Sequence, residues 1–146
     1  MTDPPPPQWK PISWLAVIAG HVDGMLETDR EQLTQLQEAR TQPWLLDDAT
    51  VARLMRVFTE QQADLTLFDE QIRRWAFGNC TPAQRREVVR LEGQMQQLRA
   101  INTAVLALAT ELQADTIEQQ LAKSDVELGL EVLLQGWPGL QRWPRA

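Results

Sequence analysis

Few residues in this chain have the chemistry to make or break bonds. His21 is the single histidine and Cys80 the single cysteine among 146 residues. A zinc site takes three or four nitrogen, sulfur or carboxylate ligands, and a di-iron bundle takes Glu-x-x-His pairs on two helices. The sequence offers neither pattern. His21 beside Asp23 reads as a surface or boundary pair. A Cys80–His21 nucleophile would need the two side chains within hydrogen-bond reach and a third group to orient the base. They are far apart in sequence, and Cys80 falls in a short turn before a helix start, so an inert thiol is the simpler reading. Asp47-Asp48 and Asp69-Glu70 are paired carboxylates at helix ends or polar faces, where capping and solvation account for them. No glycine-rich phosphate loop is present. Arg85, Arg86 and Arg90 form a basic patch without interleaved aromatics and diluted by Glu87 and Glu92, which reads as a solvated helix face. The sequence predicts no enzyme, no cofactor and no metal site.

Helices must position whatever these residues do. From Thr81-Pro82, a capping hydroxyl followed by the residue suited to the first helical turn, the chain reads as a helix to about Leu121. Val88, Leu91, Met95, Leu98, Asn102, Val105, Ala109 and Leu112 recur at alternating spacings of three and four, a coiled-coil seam. Asn102 is its one polar member, and Val89, Ile101 and Leu108 widen the apolar face toward a second neighbour. An earlier helix starts near Asp47 or Asp48 with the seam Val51, Leu54, Phe58, Gln61, Leu65, Phe68, Ile72 and Trp75. Gly78 is its predicted left-handed stop. The first helix runs from near Pro11 to Arg40 through Leu15, Ile18, Val22 and Met25. The rhythm resumes at Leu33 and Leu36 after the polar Asp29. Gly20 and Gly24 weaken this helix by roughly 1 kcal/mol each relative to alanine, which predicts close approach of a neighbouring backbone.

The fold expected is all-α: an elongated antiparallel bundle of three long helices with a shorter C-terminal helix. Helices of about 25 to 40 residues reach roughly 40 to 60 Å at 1.5 Å per residue. Residues 1–11, with five prolines, form an extended arm whose adhesive group is Trp9. Residues 12–121 form the bundle. Residues 122–146 are a C-terminal helix and tail, broken at Gly136-Trp137-Pro138-Gly139. Gln61 and Asn102 read either as buried register-setting groups or as hydrated bundle-edge residues.

The charge balance of -6 excludes general nucleic-acid binding, which needs a basic footprint to neutralise phosphates. No run of about eighteen apolar residues spans a membrane. Met1-Thr2-Asp3 followed by Pro4 to Pro7 lacks the basic-then-apolar order of a secretory signal. A lone cysteine forms no internal disulfide and fits a reducing compartment, so a cytoplasmic location is expected.

Three stretches resemble the FlgN family of flagellar export chaperones. Leu98-Arg99-Ala100-Ile101-Asn102, preceded by Gln96-Gln97, is similar to that family's leucine-arginine-x-x-asparagine stretch. Leu26 to Leu33 resembles its acidic-x-x-x-leucine stretch late in helix one, and Thr59-Glu60-Gln61-Gln62 through Arg73 resembles its second helix. The likeness covers about residues 12–121 in the same order. Val105 and Leu106 stand where many relatives carry asparagine and glycine, and Gln62 replaces a basic residue. The resemblance implies a cytosolic chaperone that holds hook-filament junction (hook-associated) proteins before export, with the export apparatus as a further contact. The chain has no tyrosine, so a gate contact through a C-terminal tyrosine does not carry over. By position, Leu121, Leu128, Val132, Leu133 and Leu134 would face the substrate. The alternative is a structural coiled-coil or dimerisation module, with a second copy as its partner.

Overall fold

The computed structural model describes residues 3–42 and 46–116, with 121, 122, 125, 126 and 130. A single 3-10 turn, Ile12–Trp14, leads into α1, Leu15–Ala39; α2 is Asp48–Phe77 and α3 is Pro82–Gln113. Paired residues give the directions. Asp23 meets Arg90 and Arg40 meets Glu111, so α1 and α3 run parallel. Asp69 meets Arg99 and Asp48 meets Thr116, so α2 runs against α3. The third helix packs along both others, whereas α1 and α2 meet one another in few places.

Each helix starts and stops for local reasons. Asp47 caps α2, its carboxylate accepting from the Thr50 amide at 2.6 Å. A capping box opens α3: the Thr81 hydroxyl accepts from the Gln84 amide at 3.1 Å, and Gln84 Oε1 accepts from the Thr81 amide at 2.9 Å. Gly78 is not left-handed as the sequence predicts. It is extended (φ -91°, ψ -175°), because the end of α2 is closed otherwise. Its own N–H and the Cys80 thiol both donate to the Trp75 carbonyl at 3.1 Å, and Arg85 donates to the Ala76 and Gly78 carbonyls, so the last carbonyls of α2 are satisfied without a left-handed residue.

The predicted end of the third helix near Leu121 is also corrected. The α3 helix stops at Gln113, where the Asp115 N–H donates to the Leu112 carbonyl at 2.9 Å. Thr116 is fully buried and its hydroxyl donates to the Asp48 carboxylate, tying the chain back to the start of α2. The expected shorter C-terminal helix falls largely outside the described residues, of which Leu121, Ala122, Asp125, Val126 and Leu130 are helical.

The seams are buried as their spacing requires. Every seam residue of α3 from Val88 to Leu112 is buried, and Leu108 joins them; Ile101 is half-buried, and Val89 is 62% exposed and joins neither core cluster among the described residues. On α1 the working seam is Leu15, Ala19, Val22, Leu26, Asp29, Leu33 and Leu36, an unbroken four-three alternation. Asp29 is therefore a seam position, not an interruption. The core falls into two clusters. One gathers Val22, Leu26, Leu65, Ile72, Leu91 and Leu98 near the start of α1. The other gathers Leu36, Phe58, Val105, Leu108 and Leu112 toward its end.

Candidate functional site

Between the two apolar clusters lies one polar layer, with a residue from each helix. Asn102 Nδ2 donates to the Phe58 carbonyl at 2.8 Å and to Gln61 Oε1 at 2.9 Å. Gln61 Nε2 in turn donates to Asp29 Oδ1 at 3.3 Å. Asn102 and Asp29 are buried and Gln61 half-buried. The bonds run in one sense, from amide to amide to carboxylate. They favour the ionised form of Asp29 at one oxygen only; Asp29 Oδ2 is buried with no hydrogen-bond partner among the described residues. Burial therefore pushes the Asp29 carboxyl above its usual range, partly offset by the bond from Gln61. The two readings the sequence left open divide between the residues: Asn102 is buried inside the bundle, whereas Gln61 is half-buried and stands at the bundle edge, where it lines a groove.

Asp29 and Gln61 also form part of a groove of about 830 Å³ between α1 and α2. The walls follow from helical spacing. Gly20, Gly24, Thr28 and Gln32 form one row on α1, and Thr50, Leu54, Val57 and Gln61 one row on α2. The groove exists because α1 and α2 each pack on α3 more than on each other. No neighbouring backbone approaches the two glycines: a Cβ at either would meet nothing within 4 Å among the described residues. The close approach predicted from the sequence is thus absent inside the described fold.

The residues with reactive chemistry are engaged in packing and capping. The Cys80 thiol donates to the Trp75 carbonyl at 3.1 Å, closing the end of α2. His21 does not pair with Asp23; its ring lies against Phe68, centroids 5.2 Å apart. Asp23 accepts both terminal nitrogens of Arg90 at 2.9 Å, and Glu87 joins the same guanidinium. The bond from Arg90 holds both carboxyls below their ordinary values and pushes the guanidinium higher still. Arg85 donates to the Ala76 and Gly78 carbonyls at the end of α2. Two of the three arginines of the basic patch are thus bound to this chain. Among the described residues, no group of three or more His, Cys, Asp or Glu side chains could hold a metal ion, and no helix is long and apolar enough to cross a membrane.

The N-terminal arm is held by a device the sequence analysis missed. Buried Gln71 reads the Lys10 peptide at two points: Oε1 accepts its N–H at 2.6 Å and Nε2 donates to its carbonyl at 3.3 Å. Trp75 Nε1 donates to the same carbonyl at 3.0 Å. Trp9 does adhere, its ring lying under the Arg74 guanidinium at 4.4 Å. The available signal was Gln71 itself, an amide directly before the seam residue Ile72.

Of the residues expected to face a partner, Leu121 is helical and 61% exposed. Leu128, Val132, Leu133 and Leu134 lie outside the described residues. Val126 and Leu130, 63% and 55% exposed, add apolar surface in the same stretch. Comparison with protein-family models, curated proteins and solved structures gives no match.

Proposed function

We propose that this chain is an export chaperone of the FlgN type, a cytoplasmic helical scaffold that holds a hook-filament junction protein before secretion. The observation that carries the reading is a contrast. In the body of the fold, His21, Cys80 and most of the arginine patch are taken up by packing, pairing and capping, while Leu121, Val126 and Leu130 follow it as helical, exposed apolar residues. Exposed apolar side chains this close together in sequence are candidates for a partner contact. An amphipathic helix of the partner would bury them, and hydrophobic burial needs no nucleotide or metal. Leu121, Leu128, Val132, Leu133 and Leu134 are the residues assigned to that contact.

The family likeness supports the same reading through Leu98 and Asn102, which occupy neighbouring turns of the α3 seam. Size-exclusion chromatography with light scattering tests the proposal. Mixed with a purified hook-junction protein, the chain is expected to elute in a complex of defined stoichiometry. A chain that elutes as a stable dimer, unchanged by that protein, would instead be a dimerisation module.

A further inference from the structure

The α1–α2 groove carries a second inference, independent of the C-terminal contact. Three observations meet there. Gly20 and Gly24, one turn apart, present a shelf without side chains, and nothing among the described residues comes within 4 Å of a Cβ built on either. Glycines spaced this way let the backbone of another helix approach closely. On the α2 side the lining is mixed: Leu54, Val57 and Phe58 supply apolar surface toward the Leu36 end, beside the polar Thr50, Arg53 and Gln61. At the floor lies Asp29, 4% exposed, with one carboxylate oxygen bonded to Gln61 and the other without a partner among the described residues.

We propose that this groove seats one amphipathic helix from another polypeptide, its backbone crossing α1 at Gly20 and Gly24 and one arginine or lysine reaching Asp29 Oδ2. From Gly20 to Leu36 the groove runs about 24 Å at 1.5 Å per residue, room for a helix of about 16 residues. The Asp29 carboxylate selects the charge of that helix. A cation brings donors to a buried acceptor that lacks one, and a charge-assisted bond exceeds a neutral one in strength. The overall charge of -6 adds attraction for a basic partner. Among the described residues, Arg53 is the one basic side chain lining the groove besides His21, and it lies eight residues along α2 from Gln61, toward the far end from Asp29. Asp29 Oδ2 is itself buried, so the incoming cation reaches it only as the side chains around it shift; the Gln61 amide is bonded to the other oxygen.

The test uses the full chain and a synthetic helical peptide of about 16 residues, matched to the groove length. It carries alanines facing the glycine shelf, leucines on the adjoining positions and a single central arginine; a control peptide has methionine in place of the arginine. Calorimetry is expected to show the arginine peptide binding at least about tenfold more tightly than the control. Asp29→Asn is expected to abolish that preference, and Gly24→Leu, whose side chain has room in the free protein, to abolish binding of both peptides. Gly20→Leu repeats the second test if Gly24→Leu unfolds, which circular dichroism reports. A spin label on the peptide should broaden the Gly20 and Gly24 amide resonances. Equal affinities for the two peptides, or binding untouched by both glycine substitutions, overturns the proposal. So does broadening of those resonances without peptide, either by a label placed at Ser124→Cys in a Cys80→Ser chain, which assigns the groove to the chain's own tail, or in proportion to protein concentration, which assigns it to a second copy.

Discussion

Asn102 donates to Gln61 across the α2–α3 interface at 2.9 Å, at the one level of the bundle where no helix contributes an apolar seam residue. The two amides sit where the lower cluster, led by Leu98 and Leu65, gives way to the upper one, led by Val105 and Phe58. A polar layer costs stability relative to an apolar one but fixes register, since any slip of one helix leaves several buried groups unpaired. Asn102→Ala should lower unfolding free energy in urea by about 1–3 kcal/mol, the cost of leaving buried partners unsatisfied. Replacing Asp29, Gln61 and Asn102 together by leucine should restore or exceed wild-type stability. That variant should also show mixed oligomeric states by light scattering, because the register device is gone.

Asp29 gives the layer a pH dependence of definite sign. Its carboxyl lies above the ordinary value because burial penalises the charge. The folded state therefore binds the proton more tightly than the unfolded state, and this group's contribution falls as pH rises through the raised value. Asp29→Asn keeps an acceptor for Gln61 and carries no charge. It should be more stable than wild type at pH 7, by about 1 kcal/mol, and the difference should shrink as pH falls toward the ordinary carboxylate range. Thermal unfolding at a series of pH values checks this; a difference that grows on acidification contradicts it.

Asp23 and Glu87 act in the opposite sense. Their carboxyls are held low by Arg90, so the stabilisation they bring is complete above the ordinary carboxylate values and is lost as pH falls through the depressed ones. The Arg90 and Asp23 side chains are 42% and 41% exposed. Solvent and salt screen such a pair, so Arg90→Ala should cost about 0.2–1 kcal/mol at low salt and less at high salt.

Much of the fold was legible because heptad spacing is a sharp signal: every residue assigned to the α3 seam is buried, and the α2 seam is buried or half-buried throughout. Asp29 was misread for a physical reason. A charged residue in an apolar row looks like a break until its partners are known, and those partners, Gln61 and Asn102, stand on other helices. With Asp29 in the row, Ala19 and Leu26 fall into place. Gly78 differs from expectation because a local bond to the Trp75 carbonyl closes α2 with the chain extended, and the end of α3 differs because Thr116 is tied to the distant Asp48 carboxylate, which no local spacing announces. The groove was not legible at all. Gly20 and Gly24 announced a close backbone approach, but no spacing rule reveals that α1 and α2 stand apart on α3.

The arm supplies a prediction on a different scale. Gln71 recognises the backbone of Lys10 and not its side chain, so Lys10→Ala should leave the arm in place. Gln71→Leu removes both bonds to that peptide and should cost about 1–2 kcal/mol. It should also expose the arm to proteolysis ahead of Ile12 and shift the tryptophan fluorescence of Trp9. Unchanged cleavage and emission would show that the strap does not depend on Gln71.

The most direct test of the chaperone reading is calorimetric titration with the terminal helical segments of hook-junction proteins, comparing the full chain with one stopped after Gln120. The account predicts tight binding by the full chain and none by the shortened one, with circular dichroism confirming that the bundle of α1, α2 and α3 persists. Absence of binding to the full chain would contradict it.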